Sequence, residues 1–213
     1  MIAEIAAKFI TLEGMEGAGK STNLAYICEF FDRQSIKYRV TREPGGTEIA
    51  ELIRELLLKH HDEAIYPMTE LLLIFAARAQ HLEAVIKPAL ANGEWLISDR
   101  FTDATYAYQG EGRQLGGDKV ELLEKFVQQS LRPDLTIILD VPVELSAQRV
   151  RHRGELDRFE TESSDFFQRV RDAYYQRAAA DPNRYSVIDA SRDLQTVQSD
   201  LHAVLDDFLD TKV

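Results

Sequence analysis

The sequence predicts an α/β domain, a five-stranded parallel sheet flanked by helices on both faces. Three observations predict it. Five short apolar runs alternate with helix-length amphipathic segments, Gly, Asp or Pro flanks the runs, and a glycine-rich loop lies between the first run and the first helix. Near-continuous apolar runs belong to strands buried on both sides, the situation of a parallel sheet covered by helices.

In chain order, "KFITLE" (8–13) is the first strand, and "GMEGAGKS" (14–21) leads from it into a helix over 20–34. "YRVT" (38–41) is the second strand, followed by a turn and a helix over 47–59, and the longest helical pattern covers 69–91. "EWLISD" (94–99) is the third strand, with a helix over 117–130 after it. "DLTIILD" (134–140) is the fourth, with helices over 142–152 and 163–180, and "RYSVID" (184–189) the fifth, with a final helix over 193–210. No repeat or Pro/Ser-rich linker divides the chain, so residues 1–213 are expected to form a single domain.

Such sheets bind ligands beyond the carboxyl ends of their strands, which directs attention to residues 13–22, 42–47, 99–105 and 140–149. "GMEGAGKS" fits G-x-x-x-x-G-K-[ST] between a strand and a helix, the context its mechanism requires. Gly14, Gly17 and Gly19 let successive N–H groups face one concavity, and the helix N-terminus adds partial positive charge. Residues Gly14, Met15, Glu16, Gly17, Ala18, Gly19, Lys20, Ser21 and Thr22 are therefore expected to hold ATP, with Lys20 on the β- and γ-phosphates and Ser21 on Mg²⁺. Asp99, which ends the third run, is placed to organise the metal shell, and Arg100 to grip an acceptor phosphate. In "TREPGG" (41–46) a sharp turn aims Arg42 and Glu43 at the same cleft.

Composition narrows the function. Acids outnumber bases 36 to 25, a net charge of −11, against the basic surface that a nucleic-acid polymer requires. The one cysteine, Cys28, sits among apolar helix positions and reads as a core thiol in a reducing compartment. "LLLIFAA" (71–77), the longest apolar run, is too short to span a bilayer, and the N-terminus lacks a signal-peptide pattern; the expected location is the cytoplasm, with no membrane partner. Neither N-K-x-D nor D-x-x-G occurs, which removes the GTPase switches. A small-acceptor kinase and an ATP-hydrolysing module coupled to a partner remain. The basic stretch "RVRHRGELDR" (149–158) reads either as a solvated face or as a lid that brings a guanidinium to the transferring phosphoryl group.

The motifs "EGMEGAGKST", "TREPGGT", "FAARAQH", "SDRFTDATYAYQG", "RPDLTIILDV" and "RGELDRFE" follow one another as in thymidylate kinases, and the chain resembles the bacterial members of that family. The resemblance implies a P-loop kinase fold with a lid at about 149–161, Mg²⁺ with ATP as donor, dTMP as acceptor, and a homodimer. It places Glu16 at the sugar 3′-hydroxyl, Arg54 and Arg100 on the acceptor 5′-phosphate, and Glu43 and Asp99 near the metal and phosphates. Arg78 corresponds to the donor to thymine O4, Thr105 and Gln109 to polar groups at the base edge, and Tyr108 to a tyrosine that disfavours ribose. Ile74 or Phe75 stands where a stacking phenylalanine is usual. Gly17 replaces the loop arginine of other members, so the catalytic charge is expected from Arg153, with Arg149 and Arg158 as weaker candidates. A Gly17→Arg exchange is expected to restore part of the activity lost with Arg153. Kinases for other nucleoside monophosphates share the scaffold and stay open as the alternative within enzymes.

Overall fold

The computed structural model describes residues 7–152 and 156–212. Five parallel strands, β1 (Phe9–Glu13), β2 (Tyr38–Arg42), β3 (Trp95–Asp99), β4 (Leu135–Asp140) and β5 (Tyr185–Asp189), lie in the order β2-β3-β1-β4-β5. Each falls within or one residue beyond its predicted run. Register sets the functional edge: Leu12 pairs with Asp99, and Asp99 with Arg42, so the ends of three strands come together.

Alternation along the strands divides the core into two layers. Ile10, Leu12, Trp95 and Ile97 join the layer of α1 (Lys20–Arg33) and α9 (Leu194–Lys212), where the Trp95 ring lies 5.4 Å from Phe31 and 5.9 Å from Phe208. Phe9 and Leu96 face the other layer with Leu82, Ile86 and Ala89. Each such buried side chain contributes roughly 1.5–3 kcal/mol. Local sequence starts the outer helices: the Thr47 hydroxyl accepts from Ala50 N–H at the head of α2 (Glu48–Leu58), and Ser163 does the same for Phe166 at the head of α8 (Ser164–Ala180).

Two regions differ from expectation. The predicted helix 69–91 begins earlier, as α3 (Pro67–His81), and opens into a π-helical turn (Leu82–Ile86) before α4 (Lys87–Ala91). Pro88 supplies the reason, because its ring would press on the carbonyl four residues back in a regular α-helix. Residues after β3, left without a helix by the sequence, form α5 (Thr102–Thr105) and a π-helical segment (Tyr106–Gly112). Thr, Tyr and Gly are weak helix formers, so packing holds this element: Ala107 and Tyr108 are buried, and Tyr106 donates to Glu124 at 2.7 Å. Helices α6 (Gly117–Gln128) and α7 (Val143–Arg151) complete the chain.

Candidate active site

One cleft of about 490 Å³ opens at the carboxyl edge of the sheet, with the phosphate loop on one side and α2, α3 and α5 on the other. Gly14, Gly17 and Gly19 all have positive φ. A Cβ on Gly14 would lie 2.4 Å from the Leu139 carbonyl oxygen, so glycine at that position is a steric requirement of the sheet beneath. Lys20 Nζ donates to the Gly14 and Met15 carbonyls at 3.1 and 3.0 Å, curling over the loop. Burial, reinforced by Arg100, pushes its ammonium down to about 8. Ser21 and Thr22 line the cleft, whereas Met15 and Ala18 are buried in the core and absent from the cleft wall.

Arg100 is the pivot between the two sides. Its backbone is left-handed (φ 69°), held by its N–H to Leu12 O at 2.9 Å and by the Ser98 hydroxyl donating to its own carbonyl at 2.7 Å. The guanidinium meets Glu16 at 2.7 Å, the Tyr108 hydroxyl at 3.1 Å and the Tyr174 hydroxyl at 3.3 Å. Burial opposes its charge, but Tyr108, Glu16, Tyr174 and Asp99 together keep it firmly protonated. Burial would likewise raise Glu16, yet Arg100, Lys20 and the Tyr108 hydroxyl outweigh it and hold the carboxyl below its ordinary value. Three residues earlier, Glu13 behaves oppositely. Burial and the nearby Asp103 carboxylate push it up to about 8, although it accepts from Phe101 N–H and the Tyr174 hydroxyl.

Asp99 lines the same cleft as Ser21, and its buried Oδ1 has no hydrogen-bond partner. An unsatisfied carboxylate oxygen sharing a cleft with a hydroxyl suits a hard cation whose remaining ligands are phosphate and water, so the residues fit Mg²⁺. Among the described residues no cluster of three His, Cys, Asp or Glu could hold a metal ion.

On the acceptor side, Arg78 is buried, with Nε donating to Glu43 at 2.7 Å and a terminal nitrogen to Thr105 at 2.8 Å. Its other terminal nitrogen is buried without a partner. Arg54 donates to the Pro44 carbonyl at 2.9 Å and lines the cleft, as do Thr105, Tyr108 and Gln109. Gln109 is fixed by donating to Glu70 at 2.8 Å. One expectation is corrected and one open choice is narrowed. Glu43 reaches the cleft, but both its oxygens face α3, one toward Arg78 and one toward His81 at 2.9 Å, and not the phosphates. Ile74 lines the cleft, whereas Phe75 packs with Leu71 and Val120 and lies 4.7 Å beneath the Arg78 guanidinium.

Arg153 lies outside the described residues. Arg149 belongs to α7 and donates to the Gly17 and Ala190 carbonyls at 3.2 and 3.0 Å. Arg158 donates to Leu57 O at 2.8 Å, stacks on Phe159 and faces Glu70 at 2.6 Å as an ion pair without hydrogen-bond alignment. Both weaker candidates are thus engaged in structural contacts. Geometry opposes the expected rescue by Gly17→Arg: φ is 71°, and a Cβ would lie 2.8 Å from Ser146 O and 3.2 Å from Arg149 Cβ.

Sequence reasoning missed Glu13, His81, Glu70 and Tyr174. The first two carried a signal, an acid closing an apolar strand and a histidine one turn after Arg78; a mid-helix tyrosine such as Tyr174 carried none.

A phosphate loop, an acid with a free buried oxygen and a second cationic pocket facing them across one cleft define a P-loop phosphotransferase with a small anionic acceptor. Comparison with known families matches residues 12–201 to thymidylate kinase. Thymidylate kinases of Pseudomonas savastanoi pv. phaseolicola and Ectopseudomonas mendocina are 56% identical over 204 residues and 57% over 202, covering 96% and 95% of this chain and 97% and 96% of theirs. The chain belongs to the thymidylate kinase family.

Proposed function

We propose that the cleft phosphorylates dTMP to dTDP with ATP, and that the residues around it divide the work as follows. Lys20 and the loop N–H groups hold the donor phosphates, and Arg100 and Arg54 hold the acceptor phosphate. Ser21 and Asp99 hold Mg²⁺, which when bound neutralises phosphate charge. The acceptor oxygen is already anionic, so the protein acts by alignment and charge neutralisation and needs no strong base. Glu16, kept anionic, holds Arg100 and stands ready for the sugar hydroxyl, with Tyr108 closing the site around a deoxyribose. Ile74 covers one face of the base.

The partnerless Arg78 nitrogen is the observation that carries the base assignment. A buried donor fixed on its other nitrogens by Glu43 and Thr105 seeks an acceptor. Thymine O4 supplies one, whereas the amino group of cytosine leaves two donors face to face.

Arg153 then supplies the last positive charge from a lid at about 149–161, on a single domain spanning 1–213. Of the described lid residues after it, 156–161, Asp157, Phe159 and Glu160 line the cleft. The protein acts in the cytoplasm; no helix among the described residues is long and apolar enough to cross a membrane. It works as a homodimer, for which exposed Ile49, Leu52 and Leu56 on α2 and Leu72 on α3 provide an apolar face.

A coupled ADP-release assay with dTMP, dUMP, dCMP, dGMP, AMP or no acceptor tests the reading. Strong preference for dTMP is expected. Release independent of acceptor would establish an ATPase instead, and preference for another monophosphate would overturn the role of Arg78.

A further inference from the structure

We infer that His81 is a positioning residue for base selection, holding the Glu43 carboxylate that in turn aims Arg78. The inference rests on the proposed role of Arg78 and deepens it. His81 is itself absent from the cleft wall and fully buried, so it touches neither substrate nor reacting atoms.

Four side chains form a directed chain. Thr41 Oγ1 lies 2.6 Å from His81 Nε2, His81 Nδ1 lies 2.9 Å from Glu43 Oε1, and Arg78 Nε donates to Glu43 Oε2 at 2.7 Å. A carboxylate that takes the Arg78 hydrogen bond accepts from the ring as well, so His81 donates through Nδ1 and pairs with the Thr41 hydroxyl through Nε2. Each group fixes the next. With both oxygens engaged, Glu43 presents one geometry to Arg78, and the free Arg78 nitrogen has one direction.

The backbone supports the same chain. Gly46 has φ 84°, and a Cβ there would lie 2.6 Å from His81 Nε2 and 2.7 Å from Thr41 Oγ1. The turn therefore presses directly on the Thr41–His81 contact. Thr41, Glu43 and Gly46, all from "TREPGG", converge on the histidine that ends "FAARAQH". The turn motif thus acts on the base through α3.

Two substitutions separate positioning from packing. In His81→Asn the side-chain amide nitrogen falls near the Nδ1 position and keeps the donor to Glu43; in His81→Gln the amide falls near Nε2, where it pairs with the Thr41 hydroxyl but no longer reaches Glu43. For His81→Gln we expect the KM for dTMP to rise about tenfold and the dTMP-over-dCMP preference to fall about tenfold, with the KM for ATP unchanged. His81→Asn should stay within about threefold of wild type in all three. Equal losses in both variants, or a parallel rise in the KM for ATP, would reduce His81 to packing. Should His81→Gln fail to fold, Thr41→Val decides: a rise of about threefold in the KM for dTMP alone supports the chain, and wild-type values overturn it. A wild-type enzyme without dTMP-dependent turnover would refute the underlying function, an outcome distinct from all of these.

Discussion

Glu13 makes stability fall as pH rises through neutrality. Its carboxyl titrates at about 8 in the folded protein against an ordinary 4.5, because burial disfavours the charge and Asp103 adds to it. Between those values the folded chain keeps a proton that the unfolded chain has released. Stability therefore falls with pH by about 1.4 kcal/mol per unit, the contribution being complete below 4.5 and lost once pH passes about 8. Over the whole interval the ceiling is about 5 kcal/mol, a large share of a typical domain's stability. Glu13→Gln is neutral at every pH and keeps an oxygen for Phe101 N–H, so its stability should lack this slope. Denaturant unfolding at several values between pH 5 and 9, followed by fluorescence of the single buried Trp95, measures both proteins. The difference between the two curves isolates Glu13 from other titrating groups. Parallel curves would refute the reasoning and show that Glu13 is ionised beneath the loop at neutral pH.

Other outcomes are as definite. Asp99→Asn should raise the Mg²⁺ concentration for half-maximal activity about tenfold or more, with the Tm little changed; an unaltered Mg²⁺ titration would remove Asp99 from the metal site. Arg153→Ala should lower kcat by about a hundredfold or more and leave dTMP affinity nearly untouched in a direct binding measurement. Adding Gly17→Arg to that variant should restore no activity and lower the Tm; recovered turnover would show that the loop tolerates the side chain.

The sheet was legible because strands buried on both faces must be apolar along their length, and the phosphate loop because the glycine at its start, Gly14, has a steric cause. Long-range pairing was not. Glu43 reads equally well as a phosphate-side acid, and only the packing of α3 brings Arg78 and His81 to its two oxygens. Ile74 and Phe75 are adjacent in sequence, but one step turns a helix by about 100°, enough to put one in the cleft and the other in the core. The segment Thr102–Gly112 was missed because its residues favour no helix in isolation and its contacts come from distant parts of the chain. Arg158 read as a weaker candidate for the catalytic charge as one of a run of arginines, yet its partners Leu57 and Glu70 lie far back in sequence.

The crowding at Gly17 bears on ancestry. The loop there rests against α7, the helix that leads toward the lid, and Arg149 reaches back from that helix to the Gly17 carbonyl. A lineage that gained a loop arginine on this framework would displace α7 at the same step, disturbing the lid before the new charge was in place. On this framework, moving the charge from lid to loop therefore calls for a compensating shift of α7.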